Sequence, residues 1–203
     1  MSSEKGFTLL ELLVSMVLVG FILVLLFAGL RLGTQSWDVA EAKINSSSQR
    51  AVVMNLIRRM LEQSVPLRWN DNGTESIAFD AGADSIAFVG PIASREGLSG
   101  NNLVRLSLAQ AETGRDLVLQ WHLTDPSAHD FSALDEAKPK SLLKAVESVQ
   151  LDYFGSEDDI QEPIWHTDWH AKQRLPLLVR MRLVMVGGEQ LPDLLVAPRL
   201  QVE

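Results

Sequence analysis

The sequence predicts an α+β protein in which a long N-terminal helix, membrane-spanning in its first half, packs on an antiparallel β-sheet head. Three observations lead to this prediction. An apolar stretch covers residues 7–32, apolar residues then recur at intervals of three and four as far as Leu61, and short β-like runs follow Pro66. The predicted segments are a leader (1–6), a transmembrane helix and assembly segment (7–32), an amphipathic helix outside the membrane (33–65) and a β-rich globular head (66–203).

The apolar stretch is long enough to cross a bilayer. Between Leu12 and Leu30 the only polar side chain is that of Ser15, and a helix of this length spans about 28 Å, close to the hydrocarbon thickness of a membrane. A secretory signal peptide has a basic leader, a shorter apolar core and a small-x-small cleavage site. Here the leader carries one Glu and one Lys, and no Ala-x-Ala site precedes Arg31, so a secretory signal is disfavoured.

Glu11 is an acid at the start of this membrane helix, where a carboxylate is costly and therefore indicates a function. Thr8, Glu11 and Ser15 are three and four residues apart, so they share one helix face, which typically meets a protein partner rather than lipid. No Lys or Arg follows within one helical turn, so the cation for Glu11 must come from elsewhere. Cleavage after Gly6 would create an amine on Phe7 at the same depth, able to pair with Glu11 of its own chain or of a neighbour.

The run Gly6-Phe7-Thr8-Leu9-Leu10-Glu11 before an apolar stretch resembles the type III signal of type IV prepilins and type II secretion pseudopilins. The resemblance implies a pilin-like fold, cleavage between Gly6 and Phe7 by a prepilin peptidase, and N-methylation of Phe7. It also implies that Glu11 pairs with the Phe7 amine of a neighbouring subunit during assembly. An ordinary signal anchor accommodates the apolar stretch but gives no reason for Glu11.

The composition predicts one acidic, cysteine-free domain after the membrane helix. The chain has 203 residues, a formal net charge of −8, a pI of about 5.0 and no cysteine. The acidic balance disfavours nucleic-acid binding, which needs clustered Lys and Arg. The absence of cysteine excludes disulfides, thiol chemistry and Cys-based zinc sites.

The helical pattern continues past the membrane segment. Its apolar positions are Trp37, Ala40, Ile44, Val53, Leu56, Ile57, Met60 and Leu61, with charged residues on the other faces. Pro66 predicts that the helix ends near Ser64. An amphipathic second half is typical of a helix that packs on a domain.

Candidate strands follow Pro66, separated by turn residues such as Gly187-Gly188. They cover residues 76–79, 85–89, 103–108, 117–123, 146–154, 177–186 and 194–202. Residues 180–184 alternate as a half-exposed antiparallel strand should. The polar stretch 125–140 contains two prolines and is predicted to be a loop.

The head carries a second set of motifs in a characteristic order. A strand at 85–91 precedes a Gly/Asn loop, a late strand carries Tyr153, a loop carries Trp165 and Trp169, and a Leu-Pro-x-x-Val-Arg segment begins at Leu175. This order is similar to that of the J-type minor pseudopilins of type II secretion. One departure is the acidic stretch at 158–160, where the family has a Gly-rich turn before the first Trp.

The resemblance implies a minor pseudopilin rather than an enzyme, without a cofactor. Such a subunit joins I-type and K-type minor pseudopilins in a pseudopilus tip complex that primes assembly of the major pseudopilin, for export of folded proteins across the outer membrane. It would cross the bacterial inner membrane once, with its head in the periplasm. The prepilin peptidase is a further implied partner, contact with secreted cargo is left open, and no nucleic acid is expected. The K-type cap lacks the acid found here as Glu11, which favours a position below the cap.

Three alternatives remain at this point. The N-terminal motif fits equally a minor pilin of a type IV pilus and a DNA-uptake pseudopilin, although the latter would need a basic groove on its head. An unrelated membrane-anchored binding protein would not be cut after Gly6. Only the head motifs favour type II secretion.

Two head segments contain residue types that bind metals. His166 and His170 are four apart with Asp168 between them, but a zinc protease helix has a glutamate after its first His, and two His on a loop are too few for a closed site. We therefore predict no metal here and expect Trp165 and Trp169 to pack on the head or on a partner.

The second segment is an acidic run, Glu157, Asp158, Asp159 and Glu162. Calcium loops place acids at alternate positions around a glycine turn, whereas this run has adjacent acids and no internal glycine. A solvated loop is favoured, and calcium is left open. The sequence also has no Gly-x-Ser-x-Gly nucleophile elbow and no phosphate-binding glycine motif.

Overall fold

The computed structural model describes residues 9–71, 74–92, 100–111, 114–125, 129–156, 161–170 and 173–198, with side chains at 28–47, 71 and 74 outside this description. Contacts divide the chain into two compact units, residues 1–49 and residues 50–203. Helix α1 (Leu9–Glu62) belongs to both units, and the strands belong to the second. The predicted combination of an apolar N-terminal helix with an antiparallel head is confirmed.

In the first unit α1 carries one apolar span, Leu9–Phe27, with a mean hydropathy of 2.9. None of this span is buried within the chain, and its length and composition suffice to cross a membrane. A core helix of similar length would bury its apolar side chains against the protein. The span therefore needs a lipid or protein environment from outside the chain.

In the second unit the last turns of α1 bury one face on the sheet. Val53, Ile57, Met60 and Leu61 are buried at the spacing of one helix face. Leu56, which the sequence places on the same face, is 40% exposed. The helix ends at Glu62, two residues before the predicted end near Ser64.

Ten strands follow. They are β1 (Arg68–Asp71), β2 (Thr74–Ile77), β3 (Phe79–Ala81), β4 (Ile86–Pro91), β5 (Asn101–Ala111), β6 (Gly114–Leu123), β7 (Lys140–Gly155), β8 (Ile164–His166), β9 (Leu178–Met185) and β10 (Leu194–Val196). A 3₁₀ helix, Ser132–Leu134, lies between β6 and β7.

All strand pairs are antiparallel. β1 and β2 form a small ribbon, and the main sheet has the order β10-β9-β7-β6-β5-β4-β3, with β8 added to β7. β7 pairs with β6 at its start and with β9 and β8 further along, with register shifts on both sides near Ala145, whose φ is 56°. Such an irregularity bends a long strand, so that one strand serves two parts of the sheet.

The sheet buries side chains on both faces. One face forms the main core with α1 and includes Ile86 and Phe88 of β4. The opposite face of β4 buries Ala87 and Val89 in a smaller cluster. Phe131 and Leu134 complete that cluster, so the stretch 125–140 is not a solvated loop throughout, because part of it covers the sheet.

Candidate functional site

The N-terminal site predicted from the sequence is described from Leu9 onward, so Gly6, Phe7 and Thr8 lie outside the described residues. Glu11 and Ser15 lie on α1 one turn apart, and both side chains are exposed. The Ser15 hydroxyl donates a hydrogen bond of 2.8 Å to the backbone carbonyl of Glu11. This bond satisfies the serine within its own helix.

Apart from Ser15, the described side chains around Glu11 are apolar on all sides of the helix. The large apolar side chains of the span are between 48% (Val14) and 87% (Leu9) exposed. Apolar surface on this scale marks a contact with lipid or with other protein. In that environment the Glu11 carboxylate is the strongest polar feature of the described span.

The tryptophan loop is partly buried in the head. Trp169 is 0% exposed, its indole Nε1 donates to the Arg174 carbonyl at 2.9 Å, and its backbone pairs with Ala81 at the β3 edge. A Cβ at Gly155 would lie 2.6 Å from the Trp169 ring, so only glycine leaves room for that ring. The packing of Trp169 on the head is thus as expected, and the loop ties β3 to the strands around β7.

The histidines of this loop have separate partners. The His166 Nε2 lies 3.2 Å from the Gly155 carbonyl, while the His170 ring contacts Asp80 through Nδ1. Asp168 is 3.9 Å from the His170 Nε2. Within the described residues no three metal-ligating side chains converge. Glu157, Asp158 and Asp159 of the acidic run lie outside the described residues, and Glu162 is exposed.

The environment of Tyr153 indicates a role in stabilising the fold. It is fully buried on β7, and its hydroxyl donates to the Gly82 carbonyl at 2.8 Å. Burial raises the pKa of Tyr153 above its ordinary value, and the negative charges of Asp152 and Asp80 act in the same direction. A neutral buried phenol with one backbone acceptor anchors the β3–β4 turn on β7.

A charged cluster on the outer face of β7 and β9 was not identified from the sequence. Asp152 is 6% exposed, and its Oδ2 accepts from Arg180 Nε at 3.0 Å and from Arg182 Nη2 at 2.6 Å. The alternation of residues 180–184 placed both arginines on one face. It could not place Asp152 opposite Arg180, because the register of β7 on β9 depends on the whole sheet.

Two family models match the chain. Residues 28–197 match "Type II secretion system (T2SS), protein J", and residues 1–27 match "Prokaryotic N-terminal methylation motif". A search of curated proteins gave no significant match.

Solved structures of similar fold include a chain of a pseudopilin complex. A chain in the crystal structure of the GspK-GspI-GspJ complex from the enterotoxigenic Escherichia coli type 2 secretion system aligns with a TM-score of 0.51 and 16% identity. The alignment covers 77% of this chain and 99% of that chain. At this identity the likeness concerns the fold, whereas the protein J model matches most of the chain. The chain therefore belongs to the protein J family of the type II secretion system, a family of structural pseudopilins rather than enzymes, and is a minor pseudopilin.

Proposed function

We propose that this minor pseudopilin joins I-type and K-type subunits in a pseudopilus tip complex, which primes assembly of the major pseudopilin for export of folded proteins. The observation that carries the proposal is the family match over residues 28–197. A chain of similar fold occurs in a solved GspK-GspI-GspJ complex. The subunit crosses the bacterial inner membrane once, through the apolar span of α1, and holds its head in the periplasm. The proposal extends to contact of the head with secreted cargo.

Maturation is the second part of the proposal. The prepilin peptidase cuts between Gly6 and Phe7 and methylates the new Phe7 amine. The match of residues 1–27 to the methylation motif supports this assignment. The cut removes the leader and leaves a cation at the end of the apolar helix.

Glu11 then sets the axial position of the subunit. A charged carboxylate among apolar side chains is stabilised where a cation meets it, and the Phe7 amine of a neighbouring subunit is the cation that we propose. Thr8 and Ser15 share the face of Glu11 by sequence spacing. Because the Ser15 hydroxyl is bonded to its own helix, we assign the axial selectivity to the carboxylate.

A clean deletion in the source bacterium tests the system to which the chain contributes. Exoproteins are measured in periplasm and medium, alongside twitching motility and transformation. Accumulation of exoproteins in the periplasm with intact pili is the expected result. Intact secretion with loss of motility or DNA uptake would instead assign the chain to a type IV pilus or a DNA-uptake pseudopilus.

Complementation with Glu11→Ala or Glu11→Leu tests the role of the carboxylate. We expect normal insertion and cleavage, with secretion reduced about tenfold or more because loss of a desolvated charge pair costs several kcal/mol. Ser15→Ala is the matched control on the same face, and we expect it to secrete normally. Normal secretion by both Glu11 variants would show that Glu11 does not set the axial position of the subunit.

A further inference from the structure

The outer side of the main sheet differs between its two halves. Over β4 and β5, Val89 and Leu103 are buried beneath Phe131 and Leu134. Over β8 and β10, Trp165 remains 41% exposed and Leu195 remains 46% exposed. The second half therefore presents apolar side chains at the surface of an acidic chain.

This second half forms a connected surface, which we call the arginine face: Asp152, Trp165, Arg180, Arg182 and Leu195. Strand register places Leu195 opposite Arg180 and Arg180 opposite Asp152, so the three lie in one row across β10, β9 and β7. The Arg180 guanidinium lies 4.3 Å from the centre of the Trp165 ring. The face is thus continuous across four strands.

The charge of the arginine face is opposite in sign to that of the chain. Among the described residues, Arg180 and Arg182 both pair with Asp152, so two guanidiniums share one carboxylate. On the arginine face itself, the two guanidiniums therefore exceed the one carboxylate by one positive charge among the described residues, in a chain with net charge −8.

The arginines are held in position before any partner binds. Arg180 is fixed by Asp152 on one side and by the Trp165 ring on the other, with its side chain 31% exposed. Preorganised arginine and tryptophan side chains are enriched among the residues that dominate binding energy in interfaces. A guanidinium also binds a carboxylate through parallel hydrogen bonds, which adds geometric selectivity.

We propose that the arginine face is a docking surface for another protein, namely a segment that presents an Asp or Glu carboxylate beside an apolar side chain. The carboxylate meets Arg180 and Arg182, and the apolar neighbour packs on Trp165 and Leu195. Charge complementarity selects this occupant, because a purely apolar segment would leave the positive excess unpaired and a basic segment would be repelled.

The test uses the full-length chain in neutral detergent and two rhodamine-labelled peptides of equal length. One peptide alternates Asp and Leu, and the other carries Asn in place of every Asp. Fluorescence anisotropy gives both affinities at low salt. We expect the Asp peptide to bind about tenfold tighter or better, since charge-assisted hydrogen bonds distinguish the two. Equal affinities would overturn the proposal.

Charge reversal at Leu195 separates an acidic partner from an apolar one. Leu195→Glu places a carboxylate opposite Arg180, where it competes for the guanidinium and repels the peptide, so we expect binding to weaken about fivefold or more. Leu195→Lys keeps an aliphatic stem for the apolar contact and adds a cation, so it should bind the Asp peptide at least as well as the parent chain. Equal weakening by both variants would indicate an apolar contact and reject the acidic one.

Two further variants complete the design. Trp165→Ala removes a half-exposed ring and is expected to weaken binding about tenfold. Leu123→Glu is the matched control, since Leu123 is 51% exposed on β6 and the change alters net charge equally. A loss in Leu123→Glu equal to that in Leu195→Glu would overturn the proposal. So would binding of phosphatidylglycerol vesicles that requires Trp165 while the Asp peptide fails to bind.

Discussion

Two parts of helix α1 differ in whether their apolar side chains are exposed or buried. In the span Leu9–Phe27 the apolar side chains point in all directions and stay exposed. In residues 50–62 the buried apolar side chains form one stripe, and Ile57 and Leu61 are 0% exposed. Identical backbone geometry thus serves two different environments, and the angular distribution of apolar residues distinguishes them.

The difference indicates where each part obtains its stability. The stripe of residues 50–62 is stabilised by the sheet of the same chain, so its contribution appears in the unfolding of the head. The span Leu9–Phe27 is not buried by any of the described residues, so we expect its side chains to contribute in a membrane or an assembly. Matched substitutions in the two parts should therefore give unequal effects on head stability.

The largest difference is expected between Ile57→Ala and Leu18→Ala. Removing the Ile57 side chain opens a cavity in the main core and should cost about 2–5 kcal/mol, whereas Leu18 is 58% exposed and its truncation should leave the head unchanged. Denaturant unfolding of the full chain in detergent, followed by circular dichroism of the sheet, measures both. Equal destabilisation would mean that the span supports the head.

A second pair compares Gly155→Ala with Gly20→Ala. At Gly155 the added methyl would lie 2.6 Å from the Trp169 ring, so the ring must shift at a cost of about 1–3 kcal/mol. At Gly20 nothing lies within 4 Å, so the same methyl fits and head unfolding should not change. The near-ultraviolet circular dichroism of Trp169 should change in Gly155→Ala alone. An unchanged signal would show that the ring accommodates the methyl.

The helix and the central strands were predictable because their signals are local. The change from all-round apolar residues to a stripe predicted both parts of α1, and short β-like runs between turn residues predicted the central strands. The predicted strand 76–79 is divided at Ala78, whose amide still donates to the Leu67 carbonyl beside β1, whereas Phe79 pairs with Phe88 of β4. The change of pairing partner from β1 to β4 thus divides one predicted strand into β2 and β3.

The elements that were missed depend on partners distant in sequence. β1 is polar and exists through its pairing with β2, and β8 is a three-residue strand formed on the end of β7. Phe131 lies in a stretch predicted to be a loop, yet it is buried with Trp69 at a ring separation of 4.8 Å. None of these contacts follows from a local period, because each needs the register of the finished sheet.

The N-terminal site and the arginine face also differ in how far the sequence alone could predict them. Glu11 and Ser15 were singled out from spacing alone because an acid in an apolar helix is conspicuous. The pairing of Asp152 with Arg180 and Arg182 was not predicted from the sequence. Acids and arginines are common on β-sheet surfaces, and only the strand register brings these three together. Cleavage between Gly6 and Phe7, methylation of Phe7 and the assembly role of Glu11 stay predictions.

A third pair compares two hydroxyl groups. Tyr153→Phe removes the buried hydrogen bond to the Gly82 carbonyl and should cost about 1 kcal/mol of head stability, because that carbonyl is left without its phenol donor. Ser15→Ala removes a bond of the same length to the Glu11 carbonyl, which keeps its place in the helix ladder. We expect no change in head unfolding for Ser15→Ala, and a loss equal to that of Tyr153→Phe would contradict the comparison.

The smallest expected effect concerns Asp130, a carboxylate whose hydrogen-bond donors lie in the head itself. Hydrogen bonds from the Ser132 hydroxyl and backbone amide to Asp130 hold the pKa of Asp130 below its ordinary value. For a carboxyl group whose folded pKa is lowered, the stabilisation is present above the unfolded pKa and is lost as the pH falls through the folded pKa. Because water screens this exposed group, the loss should be smaller than any effect above.

Titration of Asp130 by carbon NMR, in the full chain and in Ser132→Ala, checks this prediction. The pKa should rise toward its ordinary value in the variant, because the hydroxyl bond is lost while the amide bond remains. An unchanged pKa would mean that the hydroxyl does not stabilise the carboxylate. Asp130 can then be compared with Glu11. Asp130 obtains its hydrogen-bond donors from its own loop, so its pKa should be the same in isolated and assembled subunits. For Glu11 we propose a donor on a neighbouring chain, so its environment should change on assembly.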